Sequence, residues 1–326
     1  MKAAVVGDTG LEIREIDTPK PGPAEVLIRV RAVGLNRADA MVASGMAHGR
    51  AGGPGTVPGI EYVGEVAEVG PEVPHVKPGD RVMCSGTAGW GEYATADWGR
   101  TVPIPANNMT WAQASTLPVG LQTMHNAIVT AGRFKPGETV MIQGASTGVG
   151  MLGMQIAKAL GAGLVVGSST NPERRARLTE FGADLAVDSQ DAGWVDQVLE
   201  ATGGDGVDLI VDQVSGYVAN QNMQATKILG RIVNVGRLGG ASGDFNFDLH
   251  AMRRIDYIGV TFRTRSIAEV REIARLMQAD LGDAVSQGKL RIPIDSVYPF
   301  EQVTEALAHM KANQHFGKIV LEGPVD

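Results

Sequence analysis

Cysteine is nearly absent from this 326-residue sequence, where Cys84 stands alone. One thiol excludes an internal disulfide and any four-cysteine zinc lobe, and its simplest place is as a small buried strand residue. Basic side chains are also scarce, with 29 Lys and Arg against 36 Asp and Glu and a formal charge of -7. That balance argues against nucleic acid and anionic membranes as partners, since both call for an extended basic face. A local pocket for one phosphate is still compatible with it. No apolar run approaches the roughly 20 residues that span a bilayer. The start, Met1-Lys2-Ala3-Ala4-Val5-Val6, enters alternating strand-like sequence without the apolar core and cleavage site of a signal peptide. A cytoplasmic location is the resulting expectation. The six histidines, His48, His75, His125, His250, His309 and His315, show no paired helical spacing and read as surface or structural residues rather than metal ligands.

What the chain has in excess is glycine, 43 residues, which implies many tight turns and close backbone approaches. The length suggests two domains, each with its own core. From Met1 to about Pro105 short strands are broken by glycine and proline, among them Glu25 to Val33, Tyr62 to Val69 and Asp80 to Ser85. Within this β-rich unit, Gly45 to Gly59 holds six glycines and two prolines with almost no apolar periodicity. A mobile, lid-like loop is expected there. After Pro118 strands alternate with helical patterns, the mark of a parallel sheet with helices on both faces. The expected order is strand Thr139 to Ile142, helix Met151 to Leu160, strand Leu164 to Gly167, helix Pro172 to Phe181, strand Leu185 to Val187 and helix Trp194 to Ala201. Strand Val207 to Val211, helix Tyr217 to Ile228, strands Arg231 to Val235 and Tyr257 to Thr261, and helix Ile267 to Leu281 follow. The last segment, from Arg291, holds a strand, a short helix and Lys318 to Leu321, and could return to the first domain. The fold class is α/β, with expected domains 1–118 plus 291–326 and 119–290.

Between the first strand and helix of the alternating region lies G-x-G-x-x-G, as Gly148, Gly150 and Gly153. On its own the motif is weak in so glycine-rich a chain. At the first turn of a doubly wound pattern it points to a dinucleotide, with Gly148 for the tight turn, Gly150 for close approach to pyrophosphate and Gly153 for helix–strand packing. The phosphates would meet the open N–H groups of Gly148, Val149 and Gly150 at the helix start. About 20 residues further, where an NAD site places an acid, the chain reads Gly167-Ser168-Ser169-Thr170-Asn171-Pro172-Glu173-Arg174-Arg175. Hydroxyls and guanidinium groups suit a 2′-phosphate, so Ser168, Ser169, Thr170, Arg174 and Arg175 point to NADPH, the plain reading of the two arginines being solvated helix surface. Glu173 dissents, but a helix's first turn accounts for it without the ribose.

With these residues in place, the sequence resembles the medium-chain dehydrogenase/reductase superfamily and its zinc-independent quinone oxidoreductase branch, the zeta-crystallin-like enzymes. The likeness covers nearly the whole chain. It rests on Gly34-Leu35-Asn36-Arg37-Ala38-Asp39, Pro58-Gly59-Ile60-Glu61-Tyr62-Val63-Gly64, Lys77-Pro78-Gly79-Asp80-Arg81-Val82, the Gly144 to Gly150 loop with Gln155-Ile156-Ala157-Lys158, and Gly317-Lys318-Ile319-Val320-Leu321. The resemblance implies a GroES-like β-rich domain completed by the last segment, a Rossmann domain, NADPH in the cleft between them, and a homodimer. Zinc-dependent relatives carry cysteine where this chain has Asn36 and histidine where it has Ile60. Glu61 alone cannot hold a catalytic zinc, which takes three protein ligands, so no metal is expected.

The same likeness places Asn36, Thr123, Gly236 and Phe262 beside the cofactor. Their plain readings are a turn asparagine, a helix threonine, a turn glycine and a core aromatic. Direct hydride transfer to a small quinone or α,β-unsaturated carbonyl compound is the implied chemistry, the cofactor carrying the hard step. Many such enzymes have a tyrosine near the nicotinamide where this chain has Met46, so no general acid is assigned. Asn36, Met46 and Tyr62 are the substrate-cleft candidates. An enoyl thioester reductase is the enzymatic alternative. A redox sensor or structural protein that binds NADPH without turnover is the alternative of another class.

Overall fold

The computed structural model describes residues 1–47, 49 and 51–324. His48 and Arg50 in the expected lid, and the last two residues of the expected 291–326 segment, lie outside the described residues. The chain folds as two units. One comprises residues 1–119, 262–279 and 285–326, the other residues 120–261 and 280–284.

Glycine and proline break the first unit into strands β1 (Lys2–Val6), β2 (Leu11–Glu15), β3 (Glu25–Gly34), β4 (Glu61–Val69), β5 (Arg81–Ser85), β6 (Tyr93–Asp97) and β7 (Thr101–Pro103). Helices α1 (Arg37–Ala43) and α2 (Trp111–Ala114) are short, and α3 (Pro118–His125) leads into the second unit. The second unit supplies β8 (Thr139–Gln143), α4 (Gly148–Ala159), β9 (Leu164–Ser168), α5 (Pro172–Ala176), β10 (Leu185–Val187), α6 (Trp194–Ala201) and β11 (Val207–Asp212). It continues with α7 (Ala219–Ala225), β12 (Thr226–Asn234), α8 (Phe247–Arg253) and β13 (Asp256–Gly259). Then come α9 (Ile267–Ser286), β14 (Ile294–Tyr298), α10 (Val303–Ala312) and β15 (Lys318–Glu322).

In the first unit the order is β14-β15-β3-β4-β5-β7, with β6 also on β3 and a separate β1-β2 hairpin. The last segment does return: β15 pairs antiparallel with β3, Val320 opposite Gly34. Alternation along β3 and β4 sends Ile28, Val30, Tyr62 and Val66 into one core with Trp90, Phe300, Leu307 and Ile319. Cys84 is buried in this unit, its thiol pushed up to about 12 by burial, as a small strand residue should be.

The second unit is a six-stranded parallel sheet in the order β10-β9-β8-β11-β12-β13. The chain reverses its direction of spread between β8 and β11, the switch point where parallel α/β sheets bind ligands beyond their carboxyl ends. Its core joins Met141, Val166, Val187, Trp194, Ile210, Met223 and Ile232. No helix among the described residues is long and apolar enough to cross a membrane.

Three expectations are corrected. The expected helix Tyr217 to Ile228 stops at Ala225, because Thr226 pairs with Val207 and turns the chain into β12. The helix from Pro172 breaks at Arg177 and resumes as a 3-10 turn, Leu178–Phe181. Of the expected domain 119–290, residues 119, 262–279 and 285–290 group with the first unit. There Arg271 pairs with Asp97 (2.7 Å) and stacks 4.4 Å over Trp98, while the carbonyls of Val285 and Ser286 accept from Asn107. A surface helix pattern gives no hint of such long-range partners.

Candidate functional site

In the second unit, the turn after β8 begins at Gly144, whose φ of +74° favours glycine. Thr147 then caps α4, its Oγ1 accepting from Gly150 N–H at 2.9 Å. The first-turn N–H groups of Gly148 and Val149 have no intrahelical acceptor and carry the positive end of a three-turn helix. Gly150 serves the loop's own packing, since a Cβ there would lie 2.6 Å from the Gly144 carbonyl. Gly153 allows α4 to pack tightly, a Cβ meeting Met124 Sδ at 2.9 Å.

The end of β9 divides the expected phosphate set. Ser168 is buried, and its hydroxyl is spent inward, accepting from Gly144 N–H (2.9 Å) and donating to Gln143 Oε1 (2.5 Å). It builds the loop. Ser169 Oγ lies 2.9 Å from Ser146 Oγ, and Thr170 next to it is exposed. Arg175 donates to the Ser169 carbonyl (2.8 Å) and to Asp188 (2.9 Å), so it orients this corner and neutralises the carboxylate following β10. Arg174 is half-buried in α5, beside Arg175 in sequence. Asn171 caps that helix, accepting from Arg174 N–H at 2.9 Å, with Pro172 at its start.

Across the switch point, Gly236 follows β12, and a Cβ there would lie 2.6 Å from the Gln213 carbonyl. Thr123 is half-buried on α3 in the same unit, and Phe262, half-buried, is assigned to the first unit. Asp212, at the end of β11, accepts from Val214 and Ser215 N–H through Oδ1, both at 2.8 Å, and burial raises its pKa.

The first unit gathers a second polar cluster where three strands start or stop. Asn36 follows β3, Glu61 opens β4 and Lys318 opens β15. Lys318 Nζ donates to Glu61 Oε2 (2.5 Å), Asn36 Oδ1 (2.7 Å) and the Leu35 carbonyl (3.1 Å), using all three ammonium protons. Glu61, with no exposure, also accepts from Asn36 Nδ2 (2.9 Å) and from Val119 N–H (2.7 Å). Gly34 makes room, because a Cβ there would stand 2.3 Å from the Ser115 carbonyl and 3.0 Å from Glu61. Asp39, equally buried, accepts from the N–H groups of Asn36 (2.9 Å), Gly59 (3.2 Å) and Ile60 (3.0 Å). Burial outweighs those bonds and raises its pKa to about 6.

Through Asp39 the end of the expected lid is pinned. Its middle is tied to β1 by Val6 N–H to the Thr56 carbonyl (2.8 Å) and Gly55 N–H to the Val6 carbonyl (2.7 Å). Met46 is exposed. Tyr62 is fully buried and donates to the Thr95 carbonyl at 3.2 Å, with burial holding its pKa well above the usual phenol value. It cannot present a proton to a substrate from there.

Among the described residues no group of three or more His, Cys, Asp or Glu side chains is arranged to hold a metal. His125 is buried against Asp280 (2.7 Å), His75 bonds the Thr101 carbonyl and His309 bonds Tyr298. Asp39, Lys318, Ser146, Gln213 and Ser215 escaped the sequence reading as site residues, although Asp39 and Lys318 sit inside motifs it used.

Residues 22–106 match the alcohol dehydrogenase GroES-like domain and residues 148–279 the zinc-binding dehydrogenase family. The chain is 28% identical over 314 residues, 96% of its length, to a phenolphthiocerol/phthiocerol polyketide synthase of Mycobacterium tuberculosis, but spans only 14% of that protein. It is 30% identical to the human synaptic vesicle membrane protein VAT-1 homolog, covering 95% of this chain and 82% of that protein. Rat quinone oxidoreductase is 28% identical, over 94% of this chain and 92% of that one. The crystal structure of quinone oxidoreductase from Pseudomonas syringae pv. tomato DC3000 superposes with a TM-score of 0.85 at 26% identity, covering 99% and 100% of the two chains. A GroES-like unit with a doubly wound nucleotide-binding unit, and these relatives, make this chain an oxidoreductase that belongs to the medium-chain dehydrogenase/reductase superfamily, in its quinone oxidoreductase branch.

Proposed function

We propose that the protein is an NADPH-dependent reductase that passes hydride, without zinc, to a quinone or an α,β-unsaturated carbonyl compound. The observation that carries this reading is the end of β9. Ser169, Thr170 and Arg174 cluster where an NAD site would put an acid, and Asp188 is already held by Arg175. The open N–H groups of Gly148 and Val149 fit a pyrophosphate, and Arg174 fits a 2′-phosphate. Metal-free chemistry is supported by Glu61, whose charge is met by Lys318 and whose neighbour in the cluster is an amide rather than a thiolate.

When bound, the nicotinamide supplies the hydride. Thr123 and the turn at Gly236, both in the second unit, would orient it, and the family likeness adds Asn36 and Phe262 as candidates. Fixed hydrogen-bond donors would stabilise the oxygen that gains charge. Tyr62 is not the proton donor, since its hydroxyl is buried on Thr95.

A second reading, reduction of an enoyl thioester, is favoured by the similarity of 96% of the chain to part of a polyketide synthase. One assay separates them: loss of NADPH absorbance with 1,4-benzoquinone, a simple enone and crotonyl-CoA in parallel. Turnover of the quinone or enone supports the first reading, and turnover of crotonyl-CoA alone the second. No consumption despite tight NADPH binding overturns both and leaves a non-catalytic NADPH-binding protein.

A further inference from the structure

Ser215 has φ 57° and ψ −152°, a region open in practice only to glycine, and it lies at the carboxyl end of β11 beside the switch point. Its strain is held by four hydrogen-bonding contacts. Its N–H donates to Asp212 Oδ1 (2.8 Å), its hydroxyl donates to the Gly236 carbonyl (2.7 Å), and it accepts from Asn234 Nδ2. The fourth is made by its own carbonyl, which accepts from Val218 N–H (3.2 Å), and just before it the Val214 carbonyl accepts from Gly239 N–H (2.7 Å).

Two residues earlier, Gln213 faces the other way. Its Nε2 donates to the carbonyls of Gln143 and Gly144, each at 3.3 Å, and its Oε1 lies 3.1 Å from the Thr147 hydroxyl that caps α4. Its carbonyl in turn accepts from Leu238 N–H (3.1 Å). Three consecutive residues therefore hold the glycine loop on one side and the Gly236 turn on the other, all within the second unit.

We propose that Gln213-Val214-Ser215 is a brace that sets the separation of the glycine loop and the Val235-Gly236-Arg237 turn, with Gln213 and Ser215 as positioning residues for the nicotinamide end of the cofactor. The proposal rests on the cofactor reading above. Neither side chain needs to touch the dinucleotide. Ser215 fixes the direction of the Gly236 carbonyl and hence the path of the turn, while Gln213 keys that turn to the loop holding the phosphates. The strained backbone is the mark of a position where geometry is kept at the expense of stability.

The test compares two ligands on the intact protein: NADPH, which needs both turns, and 2′,5′-ADP, which needs only the loop and the end of β9. Ser215→Ala keeps the strain and loses the hydroxyl; Ser215→Gly loses both, and so folds at least as readily. Both variants should weaken NADPH by about tenfold, the ~1.4 kcal/mol of a lost hydrogen bond, and lower kcat. Binding of 2′,5′-ADP should stay within about twofold of the unaltered protein. Gln213→Leu combined with Ser215→Ala should weaken NADPH no more than the worse single change, because either one releases the brace. Equal loss of both ligands, no loss of either, or effects that multiply in the double variant would overturn the proposal. An unaltered protein that bound neither ligand would remove the cofactor reading itself, and the brace with it.

Discussion

Replacing Lys318 by methionine keeps the length of the side chain and removes one charge. Lys318 and Glu61 are 6% and 0% exposed in their side chains, so the carboxylate is left in a dry site with only the Asn36 amide and the Val119 N–H. Removing one partner of a buried pair costs about 3–5 kcal/mol, most of it the penalty of the charge left behind. For a unit of this size that corresponds to a melting point roughly 6–20 °C lower. Glu61→Gln on top of Lys318→Met removes the stranded charge. With Lys318 gone, the Asn36 amide is free to turn its oxygen toward the new amide at position 61, so the double variant should lie within about 1–2 kcal/mol of the starting protein. Two units can unfold separately, so the probe has to report on one of them. Trp90, Trp98 and Trp111 lie in the first unit and Trp194 in the second, so urea unfolding followed by tryptophan fluorescence in a W194F background reads the unit concerned. A Lys318→Met midpoint within error of the parent, or a double variant less stable than the single, would refute the assignment of a buried, charged pair.

Asp39 gives a pH test. Its folded pKa of about 6 lies above the ordinary 3.8, so the native state binds the proton more tightly than the unfolded chain. Stability should therefore fall as pH rises from about 4 to about 6, by at most about 3 kcal/mol, and then level off. Asp39→Asn should abolish that slope, and an unchanged difference between the two proteins across this window would refute it. Arg174→Ala should weaken NADPH by about 10- to 100-fold and NADH little, the loss of charged hydrogen bonds to a 2′-phosphate; equal loss removes Arg174 from that role. Arg175→Ala, which frees Asp188 and Ser169, should instead lower stability together with NADPH affinity, read by thermal unfolding beside the binding curve. Tyr62→Phe should leave kcat and its pH profile unchanged and cost about 1 kcal/mol of stability, the bond to Thr95; a large fall in kcat would restore Tyr62 as a proton donor.

What was legible in the sequence was local. The strands at Glu25, Leu185 and Val207 follow from alternation or short apolar runs bounded by turn residues, and the glycine loop from its place between a strand and a helix. Long-range pairing was not legible. Thr226 to Ile228 continue a helical pattern until β11 captures Thr226, and the Arg271 and Ser286 ends of α9 are held within the first unit by Asp97 and Asn107. Ser168 looked like a ligand because hydroxyls suit phosphate, yet as the last residue of β9 it lies beneath the turn, where Gly144 and Gln143 consume its hydroxyl. No motif marks Gln213 or Ser215, and only the pairing of β11 with both β8 and β12 brings them between two loops.

Asn36 shows how far such placement narrows a role. Its two amide protons go to the Gly34 carbonyl (3.1 Å) and to Glu61, and Lys318 takes one lone pair of Oδ1. The ammonium and the carboxylate together fix which end of the amide is oxygen, since the reverse orientation would set N–H against Nζ. The other lone pair of Oδ1 faces the Asp39 N–H in the capping box that starts α1, so the whole amide is spent within the cluster. Asn36 therefore acts by holding Glu61, Lys318 and the helix start in place rather than by offering its side chain to a ligand. Asn36→Asp would add a second carboxylate beside Glu61 and should cost stability before affinity. Asn36→Ser keeps an acceptor while releasing Glu61 and Lys318 from the amide, and should weaken the cofactor through lost position rather than lost chemistry.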